Sequence, residues 1–126
     1  MSSPLRGVIV SHAGLAHALV TAVTNITGVT DALVPVSNEG CDRDTLFAAL
    51  AAAAADMPAV LFIDLPGGSC LTGAATYARG RTNLAVVTGV NLAMLLDFVF
   101  HRDLSPTEAA LRAATAGAKA IRVTPA

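Results

Sequence analysis

The sequence predicts an α/β fold with an open, mostly parallel sheet and helices on both faces. Short apolar runs alternate with amphipathic segments along the chain, and the runs are continuously apolar, as is typical of strands buried on both faces. Clusters of glycine and small polar residues separate these segments and indicate turns. This rhythm predicts βαβ units, in which the parallel strands end at a common edge of the sheet.

Five strands and five helices are expected. The strands are predicted at residues 6–11, 32–36, 59–65, 83–88 and 120–123. The helices are predicted at residues 14–26, 43–55, 69–78, 92–101 and 106–116. Asp42 and Ser105 are suited to cap the second and fifth helices. Gly117 is expected to end the last helix, because glycine commonly follows a helix terminus.

The length and composition predict a single domain that spans residues 1–126. The chain has 126 residues, of which 54% are hydrophobic, and this is ample for one core. The mean hydropathy is high, at +0.63. However, polar residues, charged residues or proline interrupt each of the two longest apolar stretches, so neither of them qualifies as a membrane span. No signal-peptide pattern is evident, and we therefore expect a cytoplasmic protein.

The charge and the cysteine content argue against several classes of partner. The net charge is −1 and no run of lysine or arginine occurs, so no nucleic-acid partner is expected. Cys41 and Cys70 are far apart in sequence and too few for a disulfide framework or a zinc site. Since no cluster of carboxylates is evident either, we expect no metal and no cofactor.

His12 and Asp64 are the candidate catalytic residues. Each follows an apolar run, at the carboxyl end of the first and third predicted strands. Ligands collect at this edge of a parallel sheet, and neighbouring strand ends place the two side chains side by side. A carboxylate that accepts a hydrogen bond from one imidazole nitrogen leaves the other nitrogen free as a nucleophile. The alternative is that His12 is a polar residue that merely terminates a strand.

The turn Gly67-Gly68-Ser69 is the candidate phosphate-binding segment. It follows Asp64 and opens a predicted helix, so its backbone N–H groups and the Ser69 hydroxyl can bind an anion. Many helices begin with such a turn for reasons of geometry alone. Beside a histidine, however, the turn predicts a phosphate pocket.

Three motifs together resemble a known family. They are Val-Ser-His-x-Gly-Leu-Ala near the N-terminus, Leu-Phe-Ile-Asp-x-x-Gly-Gly-Ser in the middle, and Gly-Val-Asn-Leu-x-Met-Leu further on. Their order and spacing resemble the IIA component of the mannose family (mannose, fructose and sorbose) of the bacterial phosphoenolpyruvate-dependent sugar phosphotransferase system. The resemblance covers nearly the whole chain.

The resemblance implies that His12 accepts a phosphoryl group from the carrier protein HPr and passes it to a IIB component during sugar uptake. Asp64 matches the family's histidine partner, and Gly67, Gly68 and Ser69 match its phosphate-binding turn. The resemblance also implies a homodimer in which the strand at residues 120–123 crosses to the other subunit. Contact with a membrane is implied only indirectly, through the permease complex.

The second motif departs from the family pattern immediately after Ser69. The family usually continues Ser-Pro-x-Asn, whereas this chain has Ser-Cys-Leu-Thr. Cys70 therefore stands in place of the family proline. This position bears on partner or sugar specificity rather than on the phosphate chemistry, and a cysteine at a helix start could have a lowered pKa.

Other readings of the function and of single residues stay open at this stage. A regulatory phospho-switch of the same fold, or an anion-binding module whose histidine is never phosphorylated, fits the same residues. His17 and His101 are expected to have surface or capping roles, and Asn91 is expected to cap a helix. The apolar stripe of the fourth predicted helix is expected to lie in the core or at a subunit interface. Its members are Leu92, Met94, Leu95 and Phe98.

Overall fold

The computed structural model describes residues 4–125, which form four strands and five helices. The strands are β1 (Arg6–Ser11), β2 (Leu33–Ser37), β3 (Ala59–Ile63) and β4 (Leu84–Thr88). The helices are α1 (Leu15–Thr27), α2 (Arg43–Ala54), α3 (Gly68–Ala78), α4 (Leu92–Val99) and α5 (Pro106–Lys119). The first four predicted strands and all five predicted helices are thus confirmed, with shifts of a few residues at their ends.

The four strands form one parallel sheet in the order β2-β1-β3-β4. From β1 the chain moves outward to β2, whereas from β3 it moves outward in the opposite direction to β4. The connections therefore diverge between β1 and β3, which leaves a crevice at the carboxyl ends of these two strands. Val10 pairs with Ile63 in the register of β1 and β3, so the residues that follow the two strands lie close together.

Helices cover both faces of the sheet, as the sequence predicts. Ile9 and Phe62 lie in a core cluster with residues of α1, α4 and α5. Their sequence neighbours Val8 and Leu61 lie in a second cluster with residues of α2 and α3. This alternation explains the continuously apolar strands, since successive side chains point to opposite faces and both faces are buried.

The C-terminal segment differs from the prediction. Helix α5 does not end at Ala116 but continues through Gly117 to Lys119. A Cβ atom at Gly117 would lie 3.0 Å from Met94 Cε and 3.1 Å from Asn91 Oδ1. Glycine therefore serves here to let α5 pack closely against the start of α4, and the prediction that it ends the helix is wrong.

The predicted fifth strand is not formed by this single chain. Within residues 4–125, the segment 121–123 pairs with no strand. Two of its apolar side chains are largely exposed, Ile121 at 75% and Val123 at 78%. The prediction that this segment crosses to a second subunit stays a prediction.

The apolar composition reflects a buried sheet rather than a membrane segment. In the part of the chain that the structure describes, none of the helices is both long and apolar enough to cross a bilayer. Helix α4, the most apolar of the five helices, has only eight residues, and its buried side chains face the core. A bilayer span needs roughly 20 apolar residues.

Candidate active site

His12 and Asp64 meet at the crevice between the ends of β1 and β3. His12 Nδ1 lies 2.7 Å from Asp64 Oδ2. The backbone N–H of His12 donates a second hydrogen bond to the same carboxylate oxygen, at 2.9 Å. The structure thus brings together the two residues that the sequence singles out, and it fixes both the ring and the backbone of His12 against one carboxylate.

The two side chains differ in their exposure to solvent. The Asp64 side chain is only 9% exposed, whereas the His12 side chain is 47% exposed. Burial raises the pKa of Asp64, but the hydrogen bonds from the backbone and ring of His12 outweigh this and hold that pKa below its ordinary value. Asp64 is therefore ionised at neutral pH and acts only as an acceptor. It follows that Nδ1 of His12 carries a proton, so that in the neutral imidazole the lone pair of Nε2 is free.

Polar side chains of two strand ends hold the backbone around His12. Ser11 is fully buried, and its Oγ accepts a hydrogen bond from the Ala16 N–H at 2.7 Å and donates one to the His12 carbonyl at 3.3 Å. Ala13 has a left-handed φ of 50°, a conformation that costs a non-glycine residue on the order of 1–2 kcal/mol. Ser37 Oγ donates to the Ala13 carbonyl at 2.8 Å, which helps to hold this strained turn in place.

The glycine turn lies beside the free ring nitrogen. Gly67 precedes α3 in an extended conformation and makes no side-chain capping bond, and Gly68 has a left-handed φ of 84°. A Cβ atom at Gly68 would lie 3.9 Å from His12 Cε1 and 4.0 Å from Nε2. A group bound to Nε2 therefore lies next to the start of α3, where the backbone amides favour an anion.

Ser69 completes this wall of the site. Asn38 Nδ2 donates a hydrogen bond to Ser69 Oγ at 3.1 Å. Since the Ser69 oxygen acts as the acceptor in this bond, its own hydroxyl hydrogen is available to a ligand. The predicted phosphate-binding residues Gly67, Gly68 and Ser69 thus lie together on one side of His12, and their binding of phosphate stays a prediction.

The other two histidines lie in different surroundings. His17 is exposed on α1. His101 follows α4, and its Nδ1 lies 2.7 Å from the Asp97 carbonyl oxygen and 3.6 Å from Asp97 Oδ1. These positions fit the surface and capping roles expected from the sequence. Asn91 is confirmed as a helix cap, because its Oδ1 accepts a hydrogen bond from the Met94 N–H at 3.0 Å.

Cys70 differs from the expectation. It lies in the first turn of α3 and is fully buried. Burial, together with the nearby Asp64 carboxylate, raises the pKa of the thiol. The direction is opposite to the lowered pKa that a cysteine at a helix start could have. The thiol sulfur lies 3.8 Å from His12 Nδ1, so the side chain nevertheless adjoins the site.

Three supporting residues were not singled out from the sequence: Ser11, Ser37 and Asn38. Each follows or ends a strand at the same edge of the sheet as His12. Ser37 and Asn38 come after β2 as Ser11 and His12 come after β1, and this parallel could have pointed to them. The apolar stripe of α4, in contrast, is confirmed as core by the burial of Met94, Leu95 and Phe98.

Residues 7–115 match the model of the EIIA-man family, described as the PTS system fructose IIA component. The chain belongs to this family. The resemblance seen in the three motifs is thereby confirmed, and membership supports a phosphoryl-carrier role in a sugar phosphotransferase system. No curated protein sequence matches the chain significantly.

Solved structures of phosphotransferase components share the fold of this IIA-family chain. The EIIA component from Streptococcus agalactiae has a TM-score of 0.87 at 20% identity, covering 94% of this chain and 96% of that one. The mannose/sorbose specific IIA subunit from Enterococcus faecalis has a TM-score of 0.84 at 22% identity, covering 98% of this chain and 97% of that one. At such low identity these likenesses establish the fold alone.

Proposed function

We propose that this chain is a phosphohistidine carrier in which His12 accepts a phosphoryl group from HPr and passes it to a IIB component during sugar uptake. The observation that supports this most is the 2.7 Å contact between His12 Nδ1 and the nearly buried Asp64 carboxylate. Because this contact places the proton on Nδ1, Nε2 is the nucleophile.

In the transfer, one bond to phosphorus forms and one bond to phosphorus breaks. Nε2 attacks phosphorus and forms a P–N bond, while the bond between phosphorus and the donor atom of HPr breaks. The imidazole gains positive charge, which the Asp64 carboxylate stabilises across the Nδ1–H hydrogen bond. Transfer to a IIB component is the same step in reverse, with the P–N bond at His12 breaking.

The setting of His12 suits a protein as donor and acceptor. Its side chain is 47% exposed and lies at the edge of the sheet, so another protein's phosphorylated residue can approach Nε2 in line. Amides at the start of α3 and the Ser69 hydroxyl stabilise the charge on the phosphoryl oxygens during transfer. The proposal requires neither a metal nor a cofactor for this step.

Phosphorylation from HPr tests the proposal directly. The protein is incubated with phosphoenolpyruvate, enzyme I and HPr, and its mass is followed. We expect one phosphoryl group per chain in the wild type, in His17→Ala and in His101→Ala, and none in His12→Ala. The bond should be acid-labile and base-stable, and a IIB component should discharge it. Label that persists in His12→Ala, or no label in the wild type while HPr is phosphorylated, would refute the proposal.

We further propose a homodimer in which residues 120–123 of one chain pair with the β4 edge of the other. Within residues 4–125, β4 has no strand on its outer side, and a groove of about 400 Å³ lies between β4 and α5. The opposite edge strand, β2, contains Pro35, which lacks a backbone donor and so suits a strand that stays unpaired on its outer side. The exposed side chains of Ile121 and Val123 would then be buried by exchange.

Removal of the residues after Ala120 tests this exchange. The cut leaves α5 intact, and we expect a monomer, or an aggregate formed through the uncovered β4 edge, in analytical ultracentrifugation. As a milder change, Ile121→Ser with Val123→Ser should raise the dimer dissociation constant. A truncated protein that stays a well-folded dimer would contradict the exchange.

A further inference from the structure

Three potential metal ligands of different chemistry converge at the crevice. His12, Asp64 and Cys70 each offer one ligand atom, and these atoms all lie within 4.8 Å of one another. The proposed phosphoryl transfer uses the first two residues but gives the thiol no task. His12 and Cys70 are 58 positions apart in the chain, but the pairing of β1 with β3 brings the Cys70 sulfur within 3.8 Å of His12 Nδ1.

The distances suit a tetrahedral ion. With Zn–N of about 2.05 Å and Zn–S of about 2.3 Å, a tetrahedral angle separates the nitrogen and sulfur ligands by about 3.6 Å. His12 Nδ1 and Cys70 Sγ are already 3.8 Å apart. A nitrogen and an oxygen ligand need about 3.3 Å, so His12 Nδ1 and Asp64 Oδ2, now at 2.7 Å, would have to separate slightly. The exposed His12 ring can make this small movement.

The second carboxylate oxygen provides an independent observation. The Asp64 side chain is only 9% exposed, and its Oδ1 is buried without a hydrogen-bond partner within the described residues. A buried acceptor without a partner is costly, and a cation that binds this oxygen as well as Oδ2 would relieve that cost.

We propose that His12, Asp64 and Cys70 form a binding site for a thiophilic divalent cation of the zinc type. The proton on His12 Nδ1 moves through solvent to Nε2, after which Nδ1, the carboxylate and the sulfur each donate a lone pair to the ion. The Cys70 S–H bond breaks, its proton goes to the solvent, and the metal–sulfur bond forms without any oxidation or reduction. The exposed side of His12 leaves the fourth position to water.

The bound ion blocks the nucleophile. With the metal on Nδ1, the proton of the neutral imidazole resides on Nε2, which then has no lone pair for phosphorus. The site therefore acts as an off-switch in which a thiophilic cation and a phosphoryl group exclude each other. This consequence rests on the proposed phosphocarrier function, whereas the binding of the ion does not.

Titration with Cd²⁺ tests the site by itself. A cadmium–thiolate bond absorbs in the ultraviolet, so we expect a charge-transfer band that saturates at one ion per chain in the wild type. The matched control Cys41→Ser keeps Cys70 and should give the same band. Zn²⁺ should displace the Cd²⁺ and abolish the band. Cys70→Ser should lose the band and bind the ion at least about a hundredfold more weakly.

Several outcomes would overturn the site. One is the absence of a band in the wild type, and another is a band that survives in Cys70→Ser but disappears in Cys41→Ser. Because Cys70 is buried, circular dichroism must show that the variant folds; if it does not, Cys70→Ala replaces it. Cadmium should also shift the His12 ring signals in NMR spectra of the wild type, and unshifted signals at saturation would refute coordination by His12.

The proposed block on phosphorylation is tested with phosphorylated HPr that has been purified away from enzyme I. We expect Zn²⁺ to slow labelling of the wild type about tenfold or more, with recovery on adding a chelator, and to slow Cys70→Ser less than twofold relative to its own metal-free rate. Labelling that is unaffected at cadmium or zinc saturation would overturn the switch. A wild type that binds Cd²⁺ but is never labelled would refute the proposed function and leave the metal site standing.

Discussion

Within residues 4–125, the helices that follow the two central strands begin without a side-chain cap, whereas the helices that follow the two outer strands have one. Helices α2 and α4 follow the outer strands, and the side chains of Asp42 and Asn91 cap them. Helices α1 and α3 follow the central strands β1 and β3, and they begin at Gly14 and Gly67 without a side-chain cap in the described structure.

The presence or absence of a cap distinguishes helix starts that stabilise the fold from helix starts that are proposed to serve the site. A capping side chain satisfies an amide that a helix start otherwise leaves without a partner, and it contributes about 1 kcal/mol. At α1 the buried Ser11 takes over part of this task, since its Oγ accepts from the Ala16 N–H. At α3 the first residues of the helix lie beside His12 Nε2, where we propose the phosphoryl group to bind. The described helix starts without a side-chain cap thus lie at the crevice, and the helix starts beside it are capped.

Asp64→Asn is expected to give the largest effect on the central pair. The amide carries no charge and can present an N–H to the ring, so the wrong tautomer is favoured. We expect phosphorylation from HPr to slow by a factor on the order of 10² to 10⁴ in rapid-quench measurements. The near-ultraviolet circular dichroism should stay that of the folded protein. If the variant accepted phosphate at the wild-type rate, the pairing of His12 with Asp64 would have no catalytic role.

Gly68→Ala, with Gly67→Ala as its matched control, tests the start of α3. A side chain at Gly68 must adopt a φ of 84° and would contact the His12 ring, whereas Gly67 is extended with open space around it. We expect Gly68→Ala to lower the free energy of unfolding by about 1–2 kcal/mol. The added methyl group would also occupy space beside His12 Nε2 that the proposed phosphoryl group needs, so phosphorylation should slow about tenfold or more. Gly67→Ala should stay within about 0.5 kcal/mol of the wild type. If the two variants slowed phosphorylation equally, the position of Gly68 beside the His12 ring would have no effect on the reaction.

Asn91→Ala is expected to act on stability alone. Its Oδ1 caps α4 and its Nδ2 donates to the Gly117 carbonyl at 3.1 Å, so urea denaturation should show a loss of about 1–2 kcal/mol. Phosphorylation measured well below the unfolding midpoint should be unchanged. A slower reaction in the folded variant would mean that the starts of the outer helices also serve the site, as the starts of α1 and α3 are proposed to do.

The parts that sequence reasoning predicts well depend on local patterns. Continuously apolar runs that end in polar turns mark β1 to β4, and parallel pairing then requires their carboxyl ends to meet, which places His12 beside Asp64. The helix caps at Asp42 and Ser105 are equally local, and both are confirmed. The strands and the caps depend on residues within a few positions of one another, and the meeting of His12 with Asp64 then follows from the parallel pairing of two strands.

The errors arise where distant contacts decide the structure. Gly117 continues in a helix because its missing side chain admits Met94, a contact between two helices that no local pattern reveals. Cys70 is buried because α3 packs onto the sheet, which reverses the expected direction of its pKa shift. Residues 120–123 have the apolar pattern of a strand, but a strand also needs a neighbour, and a single chain does not supply one to this segment.

The pairing of β1 with β3 also bears on how the protein folds. Their paired residues, such as Arg6 and Ala59, stand 53 positions apart in the chain (59 − 6 = 53), with α1, β2 and α2 between them. Closing so long a loop costs entropy, which makes this pairing one of the slower events after local βα units form. During refolding, helical circular dichroism should therefore recover before the ability to accept a phosphoryl group. His12 lies near the N-terminus, but it meets Asp64 only after β3 has been made and has paired with β1.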